Sequence, residues 1–516
     1  MRQQVKSHHT IYRFISALYF VMMLIILVLC FFFGPIKYAR KLDHMPANLI
    51  LLPIGLLFVF LVAVLIRLII RENMQHRRWI PVILFVALFV VQCIFTYSYY
   101  FLSGWDAEVI RNASLSFANG NATALNEYYS YLSIYPNNRM IIFLFGIIAR
   151  IAMAAGIGQN SYFSLIAAQC FLNSLTGFFL YSIADRLFHS IRVAVLSSVI
   201  FIFLQGLSPW VSIPYSDSLT LVFPVSVLCC WLEMRPFLKN PVVKWGLIGF
   251  LSMLGYSIKP QTVIVLIAIL LVTVVTKLQN LFKERKIVLL RVSGLGIGLI
   301  AATLFIHGAY RTLPVRIEYQ AAFGPSHYLM MGLCKKTNGS YRKNDVVFSM
   351  NIGTRELRKK ENLRVAGKRF KDLWGYPLLR HLAKKTLTNM NDGTFTWGKE
   401  GKFYKEVYDD KTVLSKFLKN IYYRKGRYYY QWCLFAQMLW ITVLFLSLFS
   451  TLGKPDENWS VILLTLIGII LFETIFEARA RYFWIYVPFF ILSGVRGGRI
   501  LYSKLVPDNM KFVYGK

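Results

Sequence analysis

Asp106 and Glu108 open a polar stretch that leaves an apolar run at Ser103 and closes on Tyr135-Pro136-Asn137-Asn138. Acids just beyond a hydrophobic segment, followed by an aromatic-rich loop, suit the water-facing mouth of a membrane enzyme, where a carboxylate takes a proton from an attacking hydroxyl. Asp106 is the first candidate. It can equally cap a short amphipathic helix, because Val109, Ile110, Ala113 and Phe117 follow at helical spacing. Asp217, after the Pro214-Tyr215-Ser216 turn, either caps the next helix or acts with Asp106, orienting an acceptor or setting the protonation of the base. The cations are Lys259, ahead of Pro260-Gln261, and Arg479 and Arg481 within Glu477-Ala-Arg-Ala-Arg-Tyr482. Guanidinium groups bind phosphate in bidentate fashion, whereas a lysine at a membrane edge can simply snorkel.

The elements that hold these residues are membrane helices. Of 516 residues 56% are hydrophobic and only 16% charged, which leaves too little polar surface to cover soluble domains of this size. A net charge of +34 would suggest nucleic acid in a soluble chain. Here the Lys and Arg sit in inter-helix links and one long insert, so no nucleic acid is expected; lipid headgroups and phosphate-bearing substrates are the expected anions. Six of the seven cysteines lie in apolar runs and only Cys334 in the insert, which indicates no disulfide framework and no Cys metal site.

Apolar runs predict spans at Phe14–Phe33, Leu49–Ile70, Ile80–Leu102, Phe163–Ala184, Val193–Leu207, Leu219–Leu232, Trp245–Ile258, Thr262–Thr276, Ile287–Ala309, Gln431–Leu452, Ser460–Ile475 and Tyr482–Val495. Met140–Gly156 is short and broken by Arg150. If it dips into the membrane and returns, the basic links (Arg186 and Arg192; Arg235, Lys239 and Lys244; Lys277, Lys283, Arg285 and Lys286; Arg496, Arg499 and Lys504) all fall on the cytoplasmic side. Both termini are then cytoplasmic, and Asp106, Asp217, Lys259 and Arg479 share the outer face. Residues 1–309 form an N-terminal transmembrane region with its outer loop at 103–138, and residues 310–430 a hydrophilic, basic insert, read as extracellular. Residues 431–516 return to transmembrane helices and a cytoplasmic tail. Within the insert, helical patches are read at Arg355–Leu373 and Leu378–Met390, either as a cap on the membrane face or as a mobile lid. Gly294-Leu-Gly-Ile-Gly298 has no strand before it and reads as close helix packing rather than a nucleotide loop.

The order of motifs resembles the GT-C membrane glycosyltransferases, in particular bacterial relatives of the protein and GPI mannosyltransferases. An outward Asp follows an early span, Tyr-Pro-Asn-Asn enters a short apolar helix, a second Asp follows Pro-Tyr-Ser, and Arg481-Tyr482 precedes Pro488. Lys259-Pro260-Gln261, Met331-Gly332-Leu333, Gly339-Ser340-Tyr341 with Asp345, and Glu477-Ala478-Arg479 are similar to signatures of a Gram-positive subgroup. The resemblance implies an all-α GT-C-like bundle with juxtamembrane helices. It implies an inverting transfer of a sugar from a polyprenyl-phosphate donor to a glycan or lipid acceptor of the cell envelope, at the outer face of the cell membrane. On that basis Asp106 is the base and Asp217 the second acid. Glu108 is grouped with them, although the family often has adjacent acids and Glu108 stands two residues on. Lys259, Arg479 and Arg481 are placed at the donor phosphate, and Tyr135, Asn137, Asn138, Gln261 and Tyr482 at the substrates. The chemistry is coherent, since displacing phosphate from an anomeric carbon needs a carboxylate for the acceptor proton and cations for the leaving group. No cofactor and no metal is expected. Three other functions are open: a polysaccharide polymerase with a lipid-diphosphate donor, a transporter or flippase of lipid-linked sugar, whose charges would lie near the bilayer midplane, and a non-catalytic scaffold, which would keep its fold and binding after Asp106 is changed.

Overall fold

Inside a bilayer no water satisfies the backbone, so long apolar runs close their hydrogen bonds internally as helices. The computed structural model describes residues 2–33, 45–73, 77–158, 161–277, 285–397 and 404–505. Eight helices are long and apolar enough to cross a membrane: Thr10–Phe32, Asn48–Ile69, Arg77–Ser98, Tyr162–Phe188, Pro241–Ile258, Arg285–Thr312, Tyr429–Leu452 and Glu457–Ile475. Three apolar segments are shorter, Ile191–Gly206, Ser216–Trp231 and Pro260–Thr276. The protein is an all-α polytopic membrane protein. Lys283 and the tail from residue 506 lie outside the described residues.

Several expected spans end differently. The Ile80–Leu102 run stops being helical at Ser98, and Tyr99–Ser103 becomes a strand paired antiparallel with Tyr404–Asp409. Consecutive aromatics favour extended backbone, and Tyr100 stacks on Tyr408 at 4.4 Å between ring centres. Met140–Gly156 is helical as far as Ala154, in the helix Asn138–Ala154, which lies outside the set long and apolar enough to cross. The Tyr482–Val495 run starts as a 3-10 segment, Ala480–Tyr486, and continues as the helix Val487–Leu505, which carries Arg496, Arg499 and Lys504.

Burial separates centre from rim. The apolar window of Tyr429–Leu452 is 78% buried, against 17% for Arg285–Thr312, whose Leu289, Ile300 and Leu304 face outward. That outer helix packs by its glycines on Pro241–Ile258: a Cβ on Gly294 would stand 2.6 Å from the Val242 carbonyl, and one on Gly298 would overlap that of Gly246. Small residues let the two backbones meet, as the Gly-x-Gly-x-Gly pattern implied.

The insert contains both expected helices, Arg355–Leu373 and Tyr376–Met390, joined at Gly375 with φ 83°. Its next segment enters the bundle. The Asn48 side chain donates to the Cys30 carbonyl (2.9 Å) and to Asn391 Oδ1 (2.8 Å), and Gln437 donates to Asn48 Oδ1 (3.0 Å) and accepts from the Gly393 amide (2.8 Å). Buried amides that satisfy one another in this way fix one arrangement. All seven cysteines are free thiols.

Candidate active site

Asp106 is the first residue of the helix Asp106–Ala118, and Trp105 ahead of it makes no side-chain cap. Its half-buried carboxylate accepts a hydrogen bond from the Tyr215 hydroxyl at 3.2 Å. Tyr131 stands beside it: burial, and then the Asp106 charge, hold the Tyr131 phenol well above its ordinary pKa. Asn138 Nδ2 donates to that phenol at 2.8 Å. Tyr-Pro-Asn-Asn therefore serves two sides of the site, because Asn137 Nδ2 donates to the carbonyl of Ile258, the residue before Lys259, at 3.1 Å.

Asp217, 4% exposed, also makes no cap. One of its oxygens is paired with Lys259 and the other accepts from Arg481 Nη1 at 2.9 Å. The Arg481 guanidinium lies over the Trp105 ring at 4.3 Å and near the Tyr215 ring at 5.3 Å, and Lys259 Nζ lies 4.9 Å from the Tyr482 ring centre. Asp106, Tyr215, Arg481, Asp217 and Lys259 thus form one connected chain of groups. Within it two buried cations, Lys259 and Arg481, share the one buried carboxylate of Asp217.

Around this chain stand the other predicted residues. Arg479 pairs with Glu477 at 3.9 Å, and burial lifts the Glu477 carboxyl above its ordinary pKa against the opposing pull of Arg479 and Arg481. Gln261 Nε2 donates to Glu473 at 3.4 Å, and its carbonyl accepts from Tyr486 at 2.8 Å. Tyr135 lies 5.1 Å from Tyr131 between ring centres. Tyr135, Tyr328 and Tyr341 all have phenols raised by burial and by the charges of Asp106 and Glu477, which places all three near those carboxylates. Glu108 turns instead to Arg111, at 3.9 Å.

Sequence reasoning did not single out three contributors. Lys385, 1% exposed, donates to the carbonyls of Gly332 (3.1 Å) and Phe476 (2.5 Å), and burial lowers its pKa to about 8. Its signal lay in the glycine motifs: Gly332 packs its backbone on Phe476, and the Gly339 carbonyl accepts from Ala478 at 2.9 Å. Glu473 is fully buried beside Gln261. The third is the turn Asn391–Trp397. Asp392 accepts from the amides of Thr394 and Thr396, both at 2.9 Å, while Phe395 and Thr396 take left-handed φ of 52° and 71°. A β-branched residue there is strained, and strain of this kind gathers at functional sites. Thr396 Oγ1 receives the Arg481 backbone amide at 3.2 Å. Asp345, by contrast, is held by both arms of Arg369 at 2.7 and 2.8 Å inside the insert.

Fold and cluster together define a polytopic helical membrane protein with a buried cluster of acids and cations at one end of its bundle. The chain belongs to a family described as conserved hypothetical integral membrane protein, whose model matches residues 6–496. No curated protein and no solved structure matches it.

Proposed function

We propose that the protein is a GT-C-type glycosyltransferase that moves a sugar, with inversion, from a polyprenyl-phosphate donor to a hydroxyl of a cell-envelope glycan or lipid at the outer face of the membrane. The observation that carries this is the pairing of Asp106 with the Lys259–Asp217–Arg481 cluster across one aromatic layer, Trp105 and Tyr215. The acceptor oxygen attacks the anomeric carbon and its proton passes to Asp106. The bond from that carbon to the phosphate oxygen breaks, and the phosphate leaves toward Arg481, Lys259 and Arg479, whose positive charges favour it. Asp217, with both oxygens engaged, holds the cations rather than taking the proton. Tyr135, Tyr328 and Tyr341 offer rings with polar tips to a sugar. The charges stand at helix ends: Lys259 follows Ile258, and Glu473 is near the end of Glu457–Ile475. This weighs against a transporter, which needs them near the midplane.

The test is Asp106→Asn in an assay with a defined polyprenyl-phosphate sugar. Loss of a general base lowers turnover roughly 10²–10⁴-fold, with donor binding within a few-fold of wild type and normal expression. A well-expressed Asp106→Asn protein that transfers sugar near the wild-type rate would refute the assignment.

A further inference from the structure

A half-open cavity of about 800 Å³ lies at the other end of the same helices. Its wall includes Pro241 and Lys244 at the start of Pro241–Ile258, Trp231 at the end of Ser216–Trp231, and Glu457 at the start of Glu457–Ile475. Each of these helices has its opposite end at the cluster, beside Lys259, Asp217 and Glu473 respectively. An 18-residue helix is about 27 Å long at 1.5 Å per residue, so cavity and cluster lie at opposite membrane faces.

The lining has a definite chemistry. Arg186, Lys239 and Arg291 bring three cations that have no ion pair among the described residues, and Lys244 is paired with Glu233 at 2.9 Å and sits 4.6 Å from the Trp231 ring centre. Trp231 and Trp245 meet edge to face at 6.2 Å and, with Leu187, Leu232 and Ile287, give the cavity an apolar part. Ile287, 41% exposed, and Arg291 lie one turn apart on the same face of the rim helix Arg285–Thr312.

We infer that this cavity binds an anionic phospholipid such as a phosphatidylglycerol. The phosphodiester meets Arg186, Lys239 and Arg291, and the glycerol and first chain carbons lie beside the two tryptophans and Ile287. The volume of about 800 Å³ falls in the range of small-molecule sites, suits a headgroup with its glycerol, and exceeds what inorganic phosphate fills. The site is independent of the sugar-transfer chemistry.

The full chain, purified and delipidated in detergent, is titrated with dioleoylphosphatidylglycerol, dioleoylphosphatidylcholine or inorganic phosphate, and bound lipid is counted by native mass spectrometry alongside thermal unfolding. Phosphatidylglycerol is expected to be retained in one tight copy and to raise the unfolding temperature, with phosphatidylcholine and phosphate far weaker. Each interfacial cation contributes about fivefold in affinity, so Arg186→Gln/Lys239→Gln/Arg291→Gln should weaken that copy by roughly a hundredfold. Should the triple variant fail to fold, Arg186→Gln and Arg291→Gln singly should each weaken it about fivefold. Lys335→Gln/Lys336→Gln/Lys359→Gln, on the insert, should leave it unchanged. Equal retention by the cavity variants, an equal loss in the insert variant, or equal stabilisation by phosphate alone overturns the inference.

Discussion

Asp106 and Asp217 bring the same carboxylate into opposite situations. Asp106 is half-buried and touched by hydroxyls, whereas Asp217 is buried between Lys259 and Arg481. Removing one partner of a buried ion pair strands the other, typically at about 3–5 kcal/mol. Asp217→Asn should therefore lower stability by about that amount, seen as an earlier unfolding midpoint in denaturant, and lose activity along with it. Asp217→Asn/Lys259→Met, with one stranded cation fewer, should recover part of the stability and none of the transfer. Asp106→Asn should unfold like wild type. An Asp217→Asn protein of unchanged stability would show that the cations are held by other groups. Both acids read locally as helix caps, and neither caps in the structure. Tyr215 lies 109 residues from Asp106 and Arg481 lies 264 from Asp217, and such distant partners override a local preference.

Among the elements, the turn Asn391–Trp397 does most to place Arg481, through Thr396, and Gly393 lets it seat against the helix Tyr429–Phe449. A Cβ on Gly393 would overlap the Ala436 carbonyl. Gly393→Ala should cost about 1–3 kcal/mol, the scale of overpacking, and should reduce transfer by displacing Arg481. Gly353→Ala, where nothing lies within 4 Å of the added carbon, should stay within about 0.5 kcal/mol of wild type. Thermal unfolding of the two variants side by side decides it. The apolar helices were legible because length and hydropathy are local properties, and the site acids and arginines because polar residues stand out at the ends of apolar runs. The turn was not, since left-handed backbone at Phe395 and Thr396 is not a property of those residue types. Lys385 looked like one more lysine of a basic helix, and only the approach of Gly332 and Phe476 buries it.

At the scale of the whole molecule, that burial makes stability depend on pH. The Lys385 ammonium has its pKa lowered from 10.5 to about 8, so between those values the unfolded chain binds more protons than the folded one. Stability from this group therefore rises as pH climbs from about 8 toward 10.5, by about 3 kcal/mol at most, and Lys385→Met should abolish that rise. Unfolding midpoints of both proteins at pH 7.5, 9 and 10 test it; parallel curves would place the effect elsewhere. The strand pair has a consequence in time. Tyr99–Ser103, which leads into Asp106, pairs with Tyr404–Asp409, synthesised ~300 residues later, or roughly 15–60 s at ordinary translation rates. Throughout that interval the segment before Asp106 is made and waiting, its partner strand unborn. A ribosome stalled before residue 404 should hold an N-terminal portion that is inserted in the membrane yet has no assembled site, so the protein begins work only near the end of its own synthesis.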